Sequence, residues 1–486
     1  MKYTPGLVCG IALITLSGCM VGPKYAAPSV PLAPAFKEQG PSSFKEMEGW
    51  KTAQPSDQAL RGNWWELFGD PRLNALEEQI DANNQTLKEA DANFQAARAA
   101  IRVRRSAQAP TITVGPSAGA ERDSVNQPYF NRAAANEGTG NFVLPFDLNY
   151  EVDLWGRVRR SVTAEIEQAQ ASAADRETAR LSLHAELAVD YFDLRSADTQ
   201  EQLLADTVKA YKEALQLTQD RYDGGAAPLS DVTQARAEWQ AAEVAMTDVR
   251  IQRAGYEHAI AVLTGKPPEE VTLAALPLSE HPPKLPAVPG LVPAQLLERR
   301  PDIAAEERRM AAANEQIGIA QAAFYPTLSL SAVAGFAGTS PVNWLTWPSR
   351  LWAVGPTLTQ TLFDHGLRRA TSDIARSNYD ATVAAYRQSV LTAFQQVEDN
   401  LAALRELETE AGQQHVETES SEQSLELFKT RYEGGVDTYL QVITWQTAAL
   451  QNERNDIDIL RRRLEADVLL IKALGGGWST SDLPHA

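Results

Sequence analysis

The stretch Arg221-Tyr222-Asp223-Gly224-Gly225 is the most informative part of the sequence, because a nearly identical copy of it occurs later in the chain. It returns 210 residues later as Arg431-Tyr432-Glu433-Gly434-Gly435. A glycine directly after a helix is the expected C-terminal cap, since it adopts the left-handed backbone conformation that other residues resist. Each copy is therefore predicted to end one helix and to form a tight turn before the next. This explanation accounts for one glycine in each turn.

Further matches lie on the N-terminal side of these two turns. At the same offset GRVRR at 156–160 faces GLRR at 366–369, and upstream APTITV at 109–114 matches YPTLSL at 325–330 at an offset of 216. Because the matches follow in order, a tandem duplication explains them and the chance similarity of two alanine-rich stretches does not. The first copy carries six extra residues between Thr111 and Gly156. Insertions concentrate in surface loops, so a variable loop is expected there.

Two very long helices are predicted before the turns. No proline interrupts the chain from about 157 to 222 or from about 367 to 432. At about 1.5 Å per residue, each run predicts a rod of about 100 Å. A shorter helix is expected after each turn, at 229–264 and at 439–474. In the second long run, apolar residues recur every seven positions, at Val383, Val390, Val397, Leu404 and Ala411. This spacing is typical of helices that pack lengthwise against one another.

Two stretches have the alternation of strands. Residues 142–154 and 327–336 alternate between apolar and polar side chains. This pattern fits strands with one face toward lipid and a wet interior, although a soluble, half-buried sheet also alternates. Each copy is expected to contain a helix, two strands, a very long helix, a turn and a second helix. Four strands cannot close a barrel, and open edges in hydrocarbon leave backbone groups unpaired, so further copies of the chain are expected to complete the sheet.

The first residues have the features of a processing signal. Lys2 precedes an apolar stretch from Gly6 to Leu16, which suits a secretory signal but is too short to span a bilayer. The stretch ends in LSGC at 16–19, which resembles the lipobox of bacterial lipoproteins and predicts a lipid on Cys19. An ordinary signal peptide with an incidental cysteine is the alternative. Met20 follows in place of aspartate, which by the same resemblance favours the outer membrane.

Composition argues against several classes of function. The formal net charge is −18, and no basic stripe offsets it, so nucleic-acid binding is not expected. The six histidines are scattered without metal-ligand spacing, and we find no phosphate-binding glycine loop. The sequence therefore predicts no enzyme, no metal site and no cofactor other than the covalent lipid on Cys19. His184 and His415 are expected on the surfaces of the rods.

Several motifs resemble those of a known family over nearly the whole mature chain. They are WW at 64–65 with Phe68, DPRL at 70–73, LERRPDI at 297–303, AAN at 312–314, QIG at 316–318 and FYP at 324–326. Together with the duplicated turns, they make the chain similar to the TolC-like outer-membrane factors, in the branch of NodT-type efflux lipoproteins. The order of these motifs behind a lipobox is specific, whereas a single motif would be weak.

This resemblance implies the fold and the partners. The fold class expected is an α+β membrane protein, in which a homotrimer forms a twelve-stranded β-barrel, four strands per protomer, continuous with a long α-helical periplasmic tunnel. The implied partners are a periplasmic adaptor (membrane fusion protein), an inner-membrane transporter, usually of the resistance–nodulation–division type, and outer-membrane lipid. The function expected is an exit duct that passively conducts small molecules, such as drugs or other toxic compounds. The duct of a type I protein secretion system uses the same fold and is the alternative; an adhesive coiled-coil stalk would not need the duplication.

The resemblance also assigns roles at the turns. Adaptor contact is expected at the two tips, formed by Arg221, Gly224, Gly225, Arg431, Gly434 and Gly435. Asp231 matches an acidic position of the family's aperture, and Leu440 matches an apolar constriction residue. Gln441 and Thr444 stand where relatives often place aspartates, so an aperture sealed mainly by Leu440 and Tyr439 is our hypothesis. The alternative for Asp231 is a favourable position in the first turn of its helix.

The sequence divides into six regions. They are a lipoprotein signal peptide at 1–18, a proline-rich arm at 19–60, the first repeat at 61–265, a proline-rich linker at 266–293, the second repeat at 294–475 and a C-terminal tail at 476–486. Proline cannot continue a helix, so the linker is expected to cross back over the outside of the body.

Overall fold

A computed structural model describes residues 20–29, 36–38, 62–122, 124, 138–286 and 297–484. Cys19, the signal peptide and most of the proline-rich arm lie outside the described residues, as does most of the interval in which the variable loop is expected.

The described elements follow the predicted order in both repeats. The first repeat contains α1 (Pro71–Asn83), α2 (Gln85–Ser106), β1 (Thr111–Val114), β2 (Ser117–Glu121), β3 (Thr139–Val152), α3 (Arg157–Asp223) and α4 (Leu229–Leu263). The second contains α5 (Pro301–Ala322), β4 (Thr327–Gly338), β5 (Arg350–Thr359), α6 (Leu367–Glu433) and α7 (Tyr439–Ala473).

Helix lengths confirm the duplication. The helices α2 and α5 each have 22 residues and begin 216 positions apart. The rods α3 and α6 each have 67 residues, and α4 and α7 each have 35, with both pairs 210 positions apart. Each rod is about 100 Å long at 1.5 Å per residue. Among the described residues, no helix has both the length and the apolar composition needed to cross a membrane.

The start of the first repeat differs from the expected single helix. Asn84 has an extended backbone (φ −59°, ψ 128°), which separates α1 from α2. Its side-chain oxygen accepts the N–H of Leu87 at 3.0 Å and caps α2, while its amide donates to the carbonyl of Leu263 at 2.8 Å. The break therefore fixes the beginning of α2 against the end of α4. A capping asparagine is favoured at this position because it satisfies a backbone N–H that the helix leaves free.

The sheet has the order β1/β2–β3–β4–β5, and all its pairs are antiparallel. The strands β1 and β2 pair with β3 in one continuous register, since Val114 lies opposite Phe146 and Ser117 opposite Val143. Gly115 and Pro116 interrupt the first strand, and proline has no N–H to donate to the ladder. The four predicted strand positions are thus present, with the first one in two segments. Within the described chain, β1/β2 and β5 are edges, each paired on one side only.

The helices pack side by side in two layers that share the rods. Next to the sheet-proximal half of the rods, the order is α2–α3–α5–α6. Around the other half the order is α4–α3–α7–α6. α6 lies at one end of both layers, whereas the opposite end is α2 in the first layer and α4 in the second. The outer flanks of these three helices therefore have no helical neighbour within the described chain.

The described part of the proline-rich linker, residues 266–286, lies against α3, where a buried arginine holds it. Arg195 donates to the carbonyls of Leu276 at 3.1 Å and His281 at 2.5 Å. The same guanidinium pairs with Asp70 at 2.8 Å, and the hydroxyl of Tyr191 donates to Asp70 at 2.7 Å. Because these groups are buried together, they satisfy one another in place of water.

The expectation that His184 lies on a rod surface is wrong. The imidazole is buried, stacks on the ring of Trp65 with 4.3 Å between centroids, and contacts the carboxyl of Glu77 at 2.6 Å. Burial lowers the pKa of His184, but its hydrogen bonds to Asp81 and Glu77 raise that pKa by more. Burial raises the pKa of Glu77 to about 7. His415 is exposed, as expected.

Candidate functional site at the helical turns

The two helical turns have the same hydrogen-bond pattern. In the first, the N–H of Ala226 donates to the carbonyl of Arg221 at 2.7 Å, and Gly225 donates to Tyr222 at 2.9 Å. In the second, the corresponding bonds from Val436 to Arg431 and from Gly435 to Tyr432 measure 2.9 and 3.0 Å. These bonds close off carbonyls that a helix end leaves free.

Only the second glycine of each turn is required by the backbone. Gly225 has φ +74° and Gly435 has φ +73°, in the left-handed region. Gly224 and Gly434 have φ −79° and −74°, which any residue can adopt. A Cβ on Gly224 would also meet no atom closer than 3.4 Å. The fold of a single chain therefore does not require glycine at positions 224 and 434.

A contact between the turns links the two rods. The guanidinium of Arg221, in the last turn of α3, lies 4.5 Å from the ring centroid of Tyr432 in α6. It also donates to the carbonyl oxygen of Tyr432 at 3.1 Å. A cation over an aromatic face is attracted by about 0.5–2 kcal/mol, depending on desolvation. The pair joins the tips of the two repeats.

The corresponding arginine of the second repeat acts only within its own tip. Arg431 forms an ion pair with Asp437 and lies 5.9 Å from the ring centroid of Phe428. Ala227 occupies the position in the first turn that corresponds to Asp437, so no such pair is available to Arg221. The duplicated motif therefore has two different roles.

Tyr432 belongs to a small core at the tips. Its side chain is 6% exposed, and its ring lies 5.2 Å from that of Tyr439, which is 4% exposed. Ala235, Val442 and Ile443 complete the cluster. Burial raises the pKa of Tyr439 to about 12 and that of Tyr432 above its usual value, and the charge of Asp231 adds to both increases. Tyr222, the counterpart of Tyr432 in the first repeat, is 39% exposed.

The residues expected at an aperture fall into two environments. Leu440 is 54% exposed, and Asp231 is half-buried in the first turn of α4, near the tyrosine cluster. Leu440 is therefore accessible at the start of α7, whereas Tyr439, its neighbour on the same helix, packs inside the tip against α6. The contact of Tyr432 with Arg221 was not predicted from the sequence. Its only signal was that two nearly identical motifs are followed by different residues, Ala227 and Asp437.

A second set of contacts lies where the helices meet the sheet. The N–H of Val21 donates to the carbonyl of Trp155 at 3.1 Å. Arg160, which is buried, donates to the carbonyl of Val21 at 2.7 Å and pairs with Glu315 at 2.7 Å. Residues 20–23 are therefore fixed at the junction between β3 and α3. Among the described residues, no group of three or more histidine, cysteine or acidic side chains could hold a metal ion.

The family model for outer membrane efflux proteins matches the chain twice, at residues 76–266 and 292–476. The chain belongs to this family. One match falls on each of the two repeats. Membership of this family confirms the outer-membrane location and the efflux function that the resemblance implied.

Similar proteins cover nearly the whole chain. The probable efflux pump outer membrane protein SepC of Pseudomonas putida is 32% identical over 96% of this chain and 95% of its own length. The outer membrane protein OprJ of Pseudomonas aeruginosa is 31% identical over 97% of this chain and 96% of its own.

Solved channels share the fold. The outer-membrane channel OprN has 28% identity and a TM-score of 0.83, and covers 95% of this chain and 100% of its own. The Neisseria gonorrhoeae outer-membrane channel MtrE, in its open state, has 27% identity and a TM-score of 0.83, over 95% of this chain and 99% of its own. The expected class, a TolC-like channel with a sheet joined to a helical tunnel, is thus confirmed.

Proposed function

We propose that this efflux protein is a homotrimeric, lipid-anchored exit duct, which receives small molecules from a periplasmic adaptor and an inner-membrane transporter of the resistance–nodulation–division type. The observation that carries the proposal is the open-ended architecture of the single chain. The sheet has two unpaired edges, and the helix layers end in unpartnered flanks at the same two sides.

Closing the assembly brings defined elements together. An edge strand in hydrocarbon must pair, because each unpaired backbone group costs several kcal/mol. Pairing β5 with β1/β2 of the next subunit places α6 beside α2 of that subunit in one layer and beside α4 in the other. Exposed apolar residues on these helices, including Val244 and Ile251 on α4 and Leu391 on α6, are available for such contacts.

A lipid on Cys19 would lie close to the level at which the sheet meets the helices. Its neighbour Met20 packs over Gly156, at the junction of the sheet with the rods. Acyl chains attached there would enter the bilayer beside the sheet. Incorporation of labelled palmitate tests this step: Cys19→Ser should abolish it, and Cys9→Ser, in the predicted signal peptide, should not. Equal labelling of Cys19→Ser and wild type would contradict the anchor.

The tips are proposed as the periplasmic end of the duct. The fold of the single chain does not require glycine at positions 224 and 434. The absence of a side chain there exposes the backbone, which suits close approach by the adaptor. Asp231 and Leu440 are proposed to line the aperture, with the tyrosine cluster behind them. Asp231→Ala should reduce block by cations in single-channel recordings, because it removes three carboxylates from a trimeric opening. Unchanged conductance and block would remove Asp231 from the aperture.

Growth and export assays test the function as a whole. A strain lacking the chain should become susceptible to drugs or solvents, with its secreted proteins unchanged; a changed secretome with unchanged susceptibility would favour the type I secretion duct. The relatives named for toluene, solvent and antibiotic efflux support the first outcome.

A reversible tip crosslink tests the duct mechanism. Cysteines at Arg221 and Tyr432, whose side chains are in contact, would be joined by a short thiol crosslinker. Export should stop while the trimer remains in the outer membrane, and it should resume when a cleavable crosslinker is reduced. The same variant without crosslinker is the control. Continued export through the crosslinked protein would show that the tips need not separate.

A further inference from the structure

A groove of about 450 Å³ lies where the helices meet the sheet, outside the sites described above. Its walls come from the N-terminal segment (Val21), the end of α5 with the residues that follow it (Phe324 and Tyr325), and the first turns of α6 (Arg369, Ser372, Asp373 and Arg376). Its position is fixed by the connection of Tyr325 to β4, which begins two residues later.

The groove combines exposed aromatic rings with unpaired arginines. Phe324 is 39% exposed and Tyr325 is 41% exposed, although Tyr325 stacks on Trp155 with 4.8 Å between centroids. Arg369 and Arg376 are both exposed, and neither makes an ion pair with any residue that the structure describes. Tyrosine and tryptophan rings, such as those of Tyr325 and Trp155, are enriched where a protein passes from lipid to water.

These unpaired arginines contrast with their surroundings. Other arginines at the same height have acidic partners, for example Arg157 with Glu151 and Arg160 with Glu315. Arg369 and Arg376 both line the same groove without an ion pair, so their guanidinium groups are available to an anion from outside the chain. A guanidinium matches a phosphate with two parallel hydrogen bonds.

The next subunit would add positive charge beside the groove. In the proposed trimer, α2 of the neighbour lies against α6, and its last turns carry Arg102 and Arg105. Both are exposed and make no ion pair with a described residue. Two helix ends of like charge repel each other unless an anion lies between or beside them.

We propose that this groove binds the headgroup of a membrane phospholipid, with its phosphate on Arg369 and Arg376. Asp373 lies between the two arginines in sequence, and its carboxylate suits an ammonium, so ethanolamine is the headgroup that the groove fits. Basic pockets on membrane proteins bind lipid headgroups in this way. Val21, two residues after Cys19, places the groove beside the proposed anchor. The inference rests on the membrane position of the sheet proposed above, but its test measures lipid binding and not export.

Native mass spectrometry of the delipidated trimer, titrated with phosphatidylethanolamine, tests the proposal. At about 1 kcal/mol per arginine, each loss should weaken binding roughly fivefold, so Arg369→Ala with Arg376→Ala should weaken it roughly 25-fold. Arg387→Ala is the matched control, because Arg387 is exposed on the same helix about 16 Å further from the sheet. The spectrum itself reports whether each variant remains a trimer.

Two further arms define the ligand. Asp373→Asn should weaken binding of phosphatidylethanolamine but not of phosphatidylglycerol, which has no ammonium. Inorganic phosphate in large excess should not displace the lipid, since the aromatic rings contact its glycerol and acyl portions. Equal lipid binding by the double variant and by Arg387→Ala would overturn the proposal, as would full displacement by phosphate, which would show a site for free anions.

Discussion

Arg221 lies over the ring of Tyr432, 211 residues later in the sequence, and donates to its carbonyl oxygen, so one side chain joins the ends of the two rods. Tyr432 in turn packs against Tyr439 at the start of α7. The contact therefore connects three of the helices that meet at the tips. Any movement that separates α3 from α6 must break it.

Arg221→Ala is expected to favour the open aperture. The substitution removes a cation–π contact and a hydrogen bond to a carbonyl, together worth about 1–3 kcal/mol in each subunit. Single-channel recordings in planar bilayers should show a larger mean conductance or longer open times. Arg431→Ala, which removes an ion pair inside one tip, should leave both unchanged. An equal effect of the two substitutions would show that the link between the rods has no special role.

Gly225→Ala and Gly224→Ala separate a backbone requirement from an exposed surface. Alanine at Gly225 must adopt φ +74°, at a cost of about 1–2 kcal/mol, whereas Gly224 has an ordinary φ. Hydrogen exchange of the amides at 224–226 should become faster in Gly225→Ala only. Adaptor binding, by contrast, should weaken in Gly224→Ala if that glycine allows close approach. Faster exchange in Gly224→Ala would contradict this division of roles.

Arg195→Ala should destabilise the fold far more than Arg405→Ala. The two arginines correspond by the 210-residue offset, but Arg195 is 1% exposed and Arg405 has a side chain 40% exposed. Removing Arg195 leaves Asp70 without its cation and frees the linker carbonyls, at about 3–5 kcal/mol. Removing Arg405 breaks a solvent-exposed pair with Glu38, which contributes little to stability because water and salt screen it. Denaturant unfolding of both variants would measure the difference; comparable midpoints would argue that the linker is not held by Arg195.

Asp467→Asn should stabilise the protein at high pH only. Asp467 is buried with one carboxylate oxygen lacking a partner among the described residues, and burial raises its pKa to about 8, which the charge of Arg463 partly counters. Because this pKa lies above that of the unfolded chain, about 3.9, the stability associated with the protonated acid is present below pH 4 and is lost as the pH rises through about 8.

Asparagine cannot ionise, so it avoids that loss. Unfolding free energies of wild type and Asp467→Asn should agree at pH 4 and differ by a few kcal/mol at pH 9. Glu77 and Asp190, whose pKa values burial also raises, to about 7 and about 6, give both proteins a similar downward trend. The difference between the two curves therefore isolates Asp467. Parallel curves from pH 4 to 9 would mean that its carboxyl ionises freely in the folded state.

The ends of the rods and of their partner helices could be predicted to within about a residue. Glycines mark the ends of the rods, and no proline interrupts the sequence between them. The break at Asn84 was missed, since asparagine is tolerated inside helices and only its bond to the carbonyl of Leu263 reveals its role. The interruption of the first strand was also missed, although glycine followed by proline at 115–116 is a known strand breaker.

Side-chain positions on the rods were harder to predict. His184 was expected on the surface because the histidines are scattered along the chain without metal-ligand spacing, and its burial depends on Trp65, 119 residues earlier. The link from Arg221 to Tyr432 depends on how one rod is rotated against the other, which no local pattern records. The motif residues of the turns were therefore identified from sequence, but their partners were not.

Equal rod lengths restrict how this chain can change. Deleting one residue from α3 would draw its end back by about 1.5 Å and turn every later side chain by about 100° relative to the unchanged α6. Arg221 would then point away from Tyr432, and the first tip would fall short of the second. Tolerated length variation should thus be confined to the connections of the sheet, where the six-residue difference between the copies lies, or should occur in both rods together.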